Sequence, residues 1–519
     1  MSSTVVSNAE APAPVIADPR RRRAILWAVG LALMAVVASV SGLNVAQPQL
    51  ATDFDASQGQ VLWIINTYTL TLAALLLPLG AAGDRWGRRP VLLAGLAVFG
   101  IANLAAAFAP TAAVMLAARL LSGIGAAMIM PVTLSVITAS FPDGERSKAI
   151  GVWTAVAGGG GILGMYLSAL LVDFASWRWL FALPIVLTLA SALIGLRAVP
   201  NSREASPGRF DLLGALASIV AAVGFTYALH EAPARGWGDP VVVLALTAAA
   251  LATVGFVGWE RRTPFPLLKP GHFRSRGLSS GTVLLLVLFG VQGGVALMLY
   301  PFFQVVLGWS GLLATLGLMP MALLMMAASG LAPRLAARVG VRAAMVTGLS
   351  VAAVGLALMA SLVSVSGGYL GVLPGLIAMG LGAGLAMAPS TEAITSALPQ
   401  EQQGVASALN DLTRELGAAL GIALLGGLLT AGYRGAVDER LDGVPPELAA
   451  TASEGVANAA DASRHAGAHA EQILTAAHEA FIAGWRQAMW VGVAVMAALV
   501  LVVAFRGPAN RPAETAEEN

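Results

Sequence analysis

The sequence predicts an all-α polytopic membrane protein, and three observations carry that expectation. Of 519 residues, 57% are hydrophobic and only 11% charged, where soluble domains carry about 25% charged residues. Uncharged stretches of about 20 residues recur, each long enough to cross a hydrocarbon core roughly 30 Å thick. They lack the polar/apolar alternation of a membrane β-barrel. The basic residues are also unevenly placed. With the N-terminus inside, inner segments hold 22 of the 30 Lys and Arg residues and outer segments 6. That asymmetry predicts a multi-pass protein of the plasma (inner) membrane with both termini cytoplasmic and an even number of spans.

Each element follows in order. Residues 1–23 read as a disordered cytoplasmic tail, polar and Ala/Pro-rich and ending in Arg20–Arg23. The uncharged run to Thr52 is too long for a signal-peptide core and lacks a cleavage site, so it reads as a retained first helix, 24–46. Spans are expected at 60–82, 90–109, 111–140, 149–171 and 177–197. Residues 90–142 carry one charge, Arg119, and would run about 80 Å as a single helix. They must therefore turn near Pro110. Spans at 211–230 and 240–258 follow, then 279–305, 311–332, 343–364, 369–390, 404–431 and 482–505, fourteen in all. The long outer loop 432–481 is polar, Ala-rich and partly helical in expectation, a tolerated insertion rather than a cover for the outer mouth. Residues 507–519 form a second cytoplasmic tail.

Several function classes are excluded. Without cysteine there are no disulfides, thiol chemistry or Cys-based metal sites. A net charge of +2 suits no nucleic-acid surface. No Gly-x-x-x-x-Gly-Lys-Ser/Thr loop is present, which disfavours a nucleotide-driven pump. His230, His272, His465, His469 and His478 sit at span ends or outside spans without metal spacing, so neither metal nor cofactor is expected. A membrane enzyme would want clustered His, Asp or Cys at an interface, and none is found. Asp53, Asp173, Glu231 and Glu392, at or beyond span ends, read as plain interface residues.

The connection after the second span reads Gly80-Ala-Ala-Gly83-Asp84-Arg85-Trp-Gly87-Arg88-Arg89. Gly83 and Gly87 let the chain reverse closely, and Asp84 sits where a helix ends, within reach of three arginines. At the membrane edge, Gly80, Asp84, Arg85, Gly87, Arg88 and Arg89 suit a gating loop better than a binding site. An echo at Pro333–Arg342 puts Ala337 where Asp84 stands, which suggests an internal repeat.

That spacing resembles the Gly-x-x-x-Asp-Arg-x-Gly-Arg-Arg loop of the major facilitator superfamily. Further segments resemble its fourteen-helix drug:proton antiporter branch, over nearly the whole chain. They are Asn44 to Pro48, Trp63 to Tyr68, Arg119-Leu-Leu-Ser-Gly123-Ile-Gly125, and Trp177-Arg178-Trp179-Leu-Phe181. Phe210-Asp211-Leu-Leu-Gly214 with Gly236-Trp237, Tyr300 to Gln304 with Gly308, and Arg414-Glu415-Leu-Gly417-Ala-Ala-Leu-Gly421 complete the set. The resemblance implies a major facilitator fold: a six-helix half over 24–209, an inserted two-helix hairpin and linker over 210–276, and a second half over 277–506. Such halves place a substrate site near the midplane between them. Ser122 stands where the family usually has Gln, and two further departures matter more. Ser39 stands where an acid is usual, and Gly160-Gly161-Ile-Leu-Gly164-Met165-Tyr166-Leu-Ser168-Ala169 has Met165 in place of the antiporter motif's proline. Gly160 and Gly164 remain, as do Gly417 and Gly421, and small residues so spaced favour close helix packing. Losing the proline removes the kink it would impose.

Charges deep in a span cost several kcal/mol and are functional candidates by default. Arg119 lies about 12 Å into its span and Glu415 about 16 Å into the thirteenth. Asp411 shares a helix face with both Arg414 and Glu415. A poorly solvated carboxyl at such depth is a candidate proton carrier, with Glu415 ahead of Asp411 and Arg119 assisting. Two static alternatives stand beside that reading, an Asp411–Arg414 lock and an Arg119 that bonds backbone carbonyls to fix the bundle. Tyr68, Trp153, Gln292, Tyr300, Gln304 and Asn410 supply aromatic and amide groups suited to an amphipathic ligand in an apolar cavity. The expected function is proton-coupled export of amphipathic drugs, antiseptics or secondary metabolites by alternating access. The partners would be the organic substrate, protons and membrane lipid, with neither nucleotide nor nucleic acid. The altered span keeps open a second reading, import or facilitated diffusion of a small metabolite.

Overall fold

The computed structural model describes residues 16–203 and 209–508. Most of the expected N-terminal tail, the linker around 204–208 and the C-terminal tail with Arg511 lie outside the described residues. Fourteen helical segments there are long and apolar enough to cross a membrane, and no strand occurs among the described residues.

The chain opens with α1 (Pro19–Val45), the short α2 (Gln47–Asp53), α3 (Gln58–Trp86), α4 (Arg88–Ala107) and α5 (Ala112–Ser140). Next come α6 (Asp143–Phe174) and α7 (Ala182–Ala198), then a hairpin of α8 (Leu212–Arg235) and α9 (Pro240–Glu260). The remainder comprises α10 (Arg276–Pro301), α11 (Gly311–Gly317), α12 (Met319–Val339), α13 (Val341–Leu362) and α14 (Gly368–Thr395). It closes with α15 (Gln403–Val437), α16 (Pro446–Glu454), α17 (Val456–His465) and α18 (Ala470–Arg506).

Helix packing repeats. α1 lies against α6 and α7, α5 takes α3 and α4, and α4 meets α7. In the later segment α10 lies against α15 and α18, α14 takes α12 and α13, and α13 meets α18. The contacts between the two sets are exchanged in the same sense, α6 with α12 and α14, α15 with α3 and α5. Gly87 (φ +104°) and Gly340 (φ +91°) end α3 and α12 in the same left-handed turn. Only glycine takes that backbone without strain, so the echoed loop is also a repeated turn.

Small residues set the closest approaches. A Cβ on Gly164 would stand 2.8 Å from Ala38 Cα, and one on Gly160 3.0 Å from Met34 Sδ, so α1 and α6 meet almost backbone to backbone. Gly417 and Gly421 bring α15 onto the backbone of α10 at Leu286 and Gly290. α6 runs through Met165 without interruption. The hairpin sits outside this bundle. α8 packs on α3 and α15, while α9 buries only Val242, Ala249 and Glu260.

Two expectations change at the chain's ends and loops. The N-terminal tail was expected to reach residue 23, yet α1 already starts at Pro19. Asp18 caps it by accepting from Arg20 N (2.8 Å), and Ile16 N donates to Ser140 O (3.1 Å). Proline at the first helical position and a capped amide favour that earlier start. The 432–481 segment is mostly helical: α15 runs to Val437, α16 and α17 follow, and α18 begins at Ala470. Gly432 and Gly484 let α15 and α18 stay in contact beyond their apolar stretches, Tyr433 donates to Ala452 O (2.8 Å), and α17 touches the π-turn Phe302–Val306.

Candidate transport site and inner gate

α3 ends on the face that carries the described termini, and Asp84 lies in its last turn. Its carboxylate accepts from Arg88 Nη2 (2.9 Å) and Nε (3.2 Å) and from the backbone N–H groups of Gly404 (2.8 Å) and Val405 (3.1 Å). The last two are free donors at the start of α15, where a helix favours an anion. Arg88 also donates to Gln400 O (2.9 Å) and Ser202 Oγ (3.3 Å). Asp84 and Arg88 are each only 3% exposed, so this part of the loop is buried between the halves. Gly80 permits it: a Cβ there would meet Gly404 O at 2.5 Å. Arg89 donates instead to Leu196 O, and Arg85 remains half-exposed.

The repeat supplies a counterpart by different means. Ala337 has no carboxylate, but Ser147 on α6 donates to Glu392 of α14, and Ser329 Oγ on α12 donates to Gly151 O (3.1 Å). Glu392 is therefore not the plain interface residue expected; it joins the two halves. Its signal in the sequence was only an acid near a span end.

Deeper in the bundle, Arg119 is fully buried. Its guanidinium donates to Ser39 Oγ (3.1 Å), Ser39 O (3.4 Å) and Ile64 O (3.4 Å), and it lies 4.3 Å from the centroid of the Tyr68 ring. Tyr68 in turn donates to Val36 O (3.1 Å). Ser39 thus takes a hydrogen bond where a carboxylate would make an ion pair. Glu415 of α15 also lies within electrostatic reach of Tyr68.

On α15, Arg414 Nη1 lies 3.6 Å from Asp411 Oδ1, a long pairing, and Asn410 Nδ2 donates to the same oxygen (3.2 Å). The Arg414 guanidinium faces the rings of Phe289 (4.5 Å) on α10 and Trp153 (5.5 Å) on α6, and so reaches across to the other half. Asp411 Oδ2, Asn410 Oδ1 and Arg414 Nε are buried without a hydrogen-bond partner among the described residues. Glu415 keeps partial accessibility. Arg414, Asp411 and Glu415 thus form one charged group on α15, while Arg119 is held apart from it by Ser39, Ile64 and the Tyr68 ring.

The aromatic and amide residues expected to line a substrate cavity differ in burial. Tyr68, Trp153 and Asn410 are buried in packing, and Trp153 Nε1 donates to Thr133 Oγ1 (3.0 Å). Gln292 is half-exposed beside Met325 Sδ (3.6 Å), Tyr300 OH bonds Thr315 Oγ1 (2.8 Å), and Gln304 is exposed in the π-turn beyond α10. In this conformation, with the termini-side contacts closed, Trp153 and Asn410 border the Arg414 group and Tyr68 borders Arg119.

Two repeated helical halves, joined by an inner clamp around a buried ionic cluster, define a secondary-transporter architecture. Residues 29–422 match the Major Facilitator Superfamily. The chain is 34% identical to the multidrug efflux pump LfrA of Mycolicibacterium smegmatis, covering 94% of this chain and 97% of that one. It is 31% identical to the tetracenomycin C resistance and export protein of Streptomyces glaucescens, with 95% and 93% covered. Among solved structures it resembles the proton:xylose symporter XylE at a TM-score of 0.59 and 14% identity, covering 94% and 96%. The chain belongs to the major facilitator superfamily.

Proposed function

We propose that this protein exports amphipathic drugs, antiseptics or secondary metabolites from the cytoplasm, driven by protons entering across the plasma membrane. One observation carries the reading. α15 holds both the clamp and the acids: Gly404 and Val405 bind Asp84 at its start, and Glu415 lies eleven residues on, about 16 Å along the helix. A rigid element with a gate at one end and a proton carrier at mid-depth transmits protonation as movement.

The charge balance supplies the direction. Neutralising Glu415 leaves Arg414 with one carboxylate, Asp411, beside it and Arg119 with none, a net positive charge in a poorly solvated interior. That state favours a cationic site opening to water or releasing a cationic drug. Deprotonation restores the balance and lets the clamp close. The names of the efflux and resistance relatives support the substrate class, and the excess of basic residues on the termini side supports cytoplasmic termini.

Ser39 favours one second reading, uptake or facilitated diffusion, since the acid usual near Arg119 is absent. The experiment separating them is drug susceptibility of a pump-deficient host expressing the chain, with and without a protonophore. Protonophore-sensitive resistance supports export; sensitisation to the drug, or resistance indifferent to the protonophore, supports the alternative.

A further inference from the structure

We infer that the basic face of the N-terminal half holds an anionic phospholipid in a built site between α1 and α6. A cavity of about 430 Å³ opens there, lined by Pro19, Arg22, Arg23 and Leu26 of α1 and by Phe141, Glu145, Lys148, Ala149 and Val152. Its lining carries three cations against one carboxylate, and that carboxylate is already used. Arg22 Nη2 pairs with Glu145 Oε1 at 2.9 Å, while Arg22 Nη1 donates to Ile16 O and Ala17 O. Arg23 has only a backbone acceptor, Pro19 O at 3.5 Å, and Lys148 has no ion-pair partner among the described residues. Both are exposed.

The order of its lining residues along the two helices suits a lipid. On α6, Lys148 and Val152 are one turn apart on one face, and on α1 Arg23 precedes Leu26 by three residues. Cations therefore sit at the mouth and apolar walls lie about 5–6 Å deeper into the bilayer. Trp27, 68% exposed, stands one turn from Arg23, at the depth where indole rings favour the headgroup layer. A phosphodiester fits between Arg23 and Lys148 while its acyl chains run along Leu26 and Val152. Basic pockets between spans at the inner leaflet recognise such headgroups. The occupant would also touch the transport cycle, because Ser147, beside Lys148, donates to Glu392 of the other half.

The test is native mass spectrometry of the purified full-length chain, titrated with phosphatidylglycerol, phosphatidylcholine and glycerol phosphate. Wild type should retain phosphatidylglycerol in preference to phosphatidylcholine. Arg23→Gln with Lys148→Gln should weaken that retention by about 25-fold, taking about fivefold per basic residue near an anionic headgroup. Lys148→Arg should keep it, as should Arg262→Gln elsewhere on the same face. Leu26→Glu, which spoils only the apolar end, should lose phosphatidylglycerol without gaining glycerol phosphate. Unchanged retention by the double variant, or equal retention of phosphatidylcholine by wild type, overturns the site. Competition by glycerol phosphate at the same concentration shows a free-anion site and overturns the lipid assignment.

Discussion

Glu415 and Asp411 sit four residues apart on one helix, yet their surroundings differ. Asp411 is fully buried, with Arg414 and Asn410 on one oxygen, whereas Glu415 keeps partial accessibility and lies near Tyr68. A group that must exchange protons needs access, so Glu415→Gln should abolish proton-coupled efflux while the protein still folds and inserts. The check is efflux against external pH; full, pH-dependent efflux by this variant would refute the assignment. Asp411→Asn should do less, changing the handling of cationic drugs more than neutral ones, and equal effects on both would favour a static pair with Arg414. Depth and helix spacing made these acids legible from the sequence. The contact of Arg414 with Trp153 was not, because the two lie more than 250 residues apart and meet only when the halves assemble.

Among the elements, the clamp between α3 and α15 makes the sharpest claim. Asp84 is a buried carboxylate that accepts four hydrogen bonds, and breaking one side of such a pair costs about 3–5 kcal/mol. Asp84→Asn should therefore slow turnover with little change in drug affinity. Gly87→Leu should do the same, since a Cβ there meets Asn201 Oδ1 at 2.5 Å on a left-handed backbone. The chain has no native cysteine, so Ala408→Cys, buried behind the clamp, reports opening: its alkylation should accelerate in either variant. Loss of equilibrium drug binding would contradict a purely gating role. In α6, Met165→Pro should fold, because neighbouring helices can satisfy the freed carbonyl, and should reduce proton leak per drug exported in reconstituted vesicles. Unchanged leak would mean that the lost proline does not govern coupling. The loop glycines and the hydrophobic runs announced these elements. The donors that complete the clamp are backbone N–H groups of Gly404 and Val405, which no side-chain pattern marks, whereas the Ala-rich 432–481 segment already suggested part of its helices.

Across the whole molecule the repeated packing matters most. The two halves meet through exchanged contacts, α6 with α12 and α14 and α15 with α3 and α5, and each set is clamped on the termini side by different chemistry, Ser147 of α6 with Glu392 of α14 and Asp84 of α3 with α15. The hydropathy pattern and the echoed loop foretold two related halves. Ala337 concealed how the second clamp is made, because its acid comes from α14 rather than from the echoed loop. If two clamps hold one state, weakening either should favour the inward-open form, and weakening both should uncouple the cycle. Glu392→Gln combined with Asp84→Asn should therefore give proton leak without drug, measured in vesicles under an imposed pH gradient; a tight double variant would deny the clamps that role.

The central claim is that protons entering through α15 drive drug out, and vesicles containing the purified chain test it most directly. With a pH gradient imposed and an amphipathic cationic drug on the side the termini face, internal pH and drug movement are followed together. Wild type should move protons inward only as drug moves outward, and Glu415→Gln should show neither flux. Drug movement down its own gradient with no accompanying proton flux in wild type would contradict the account.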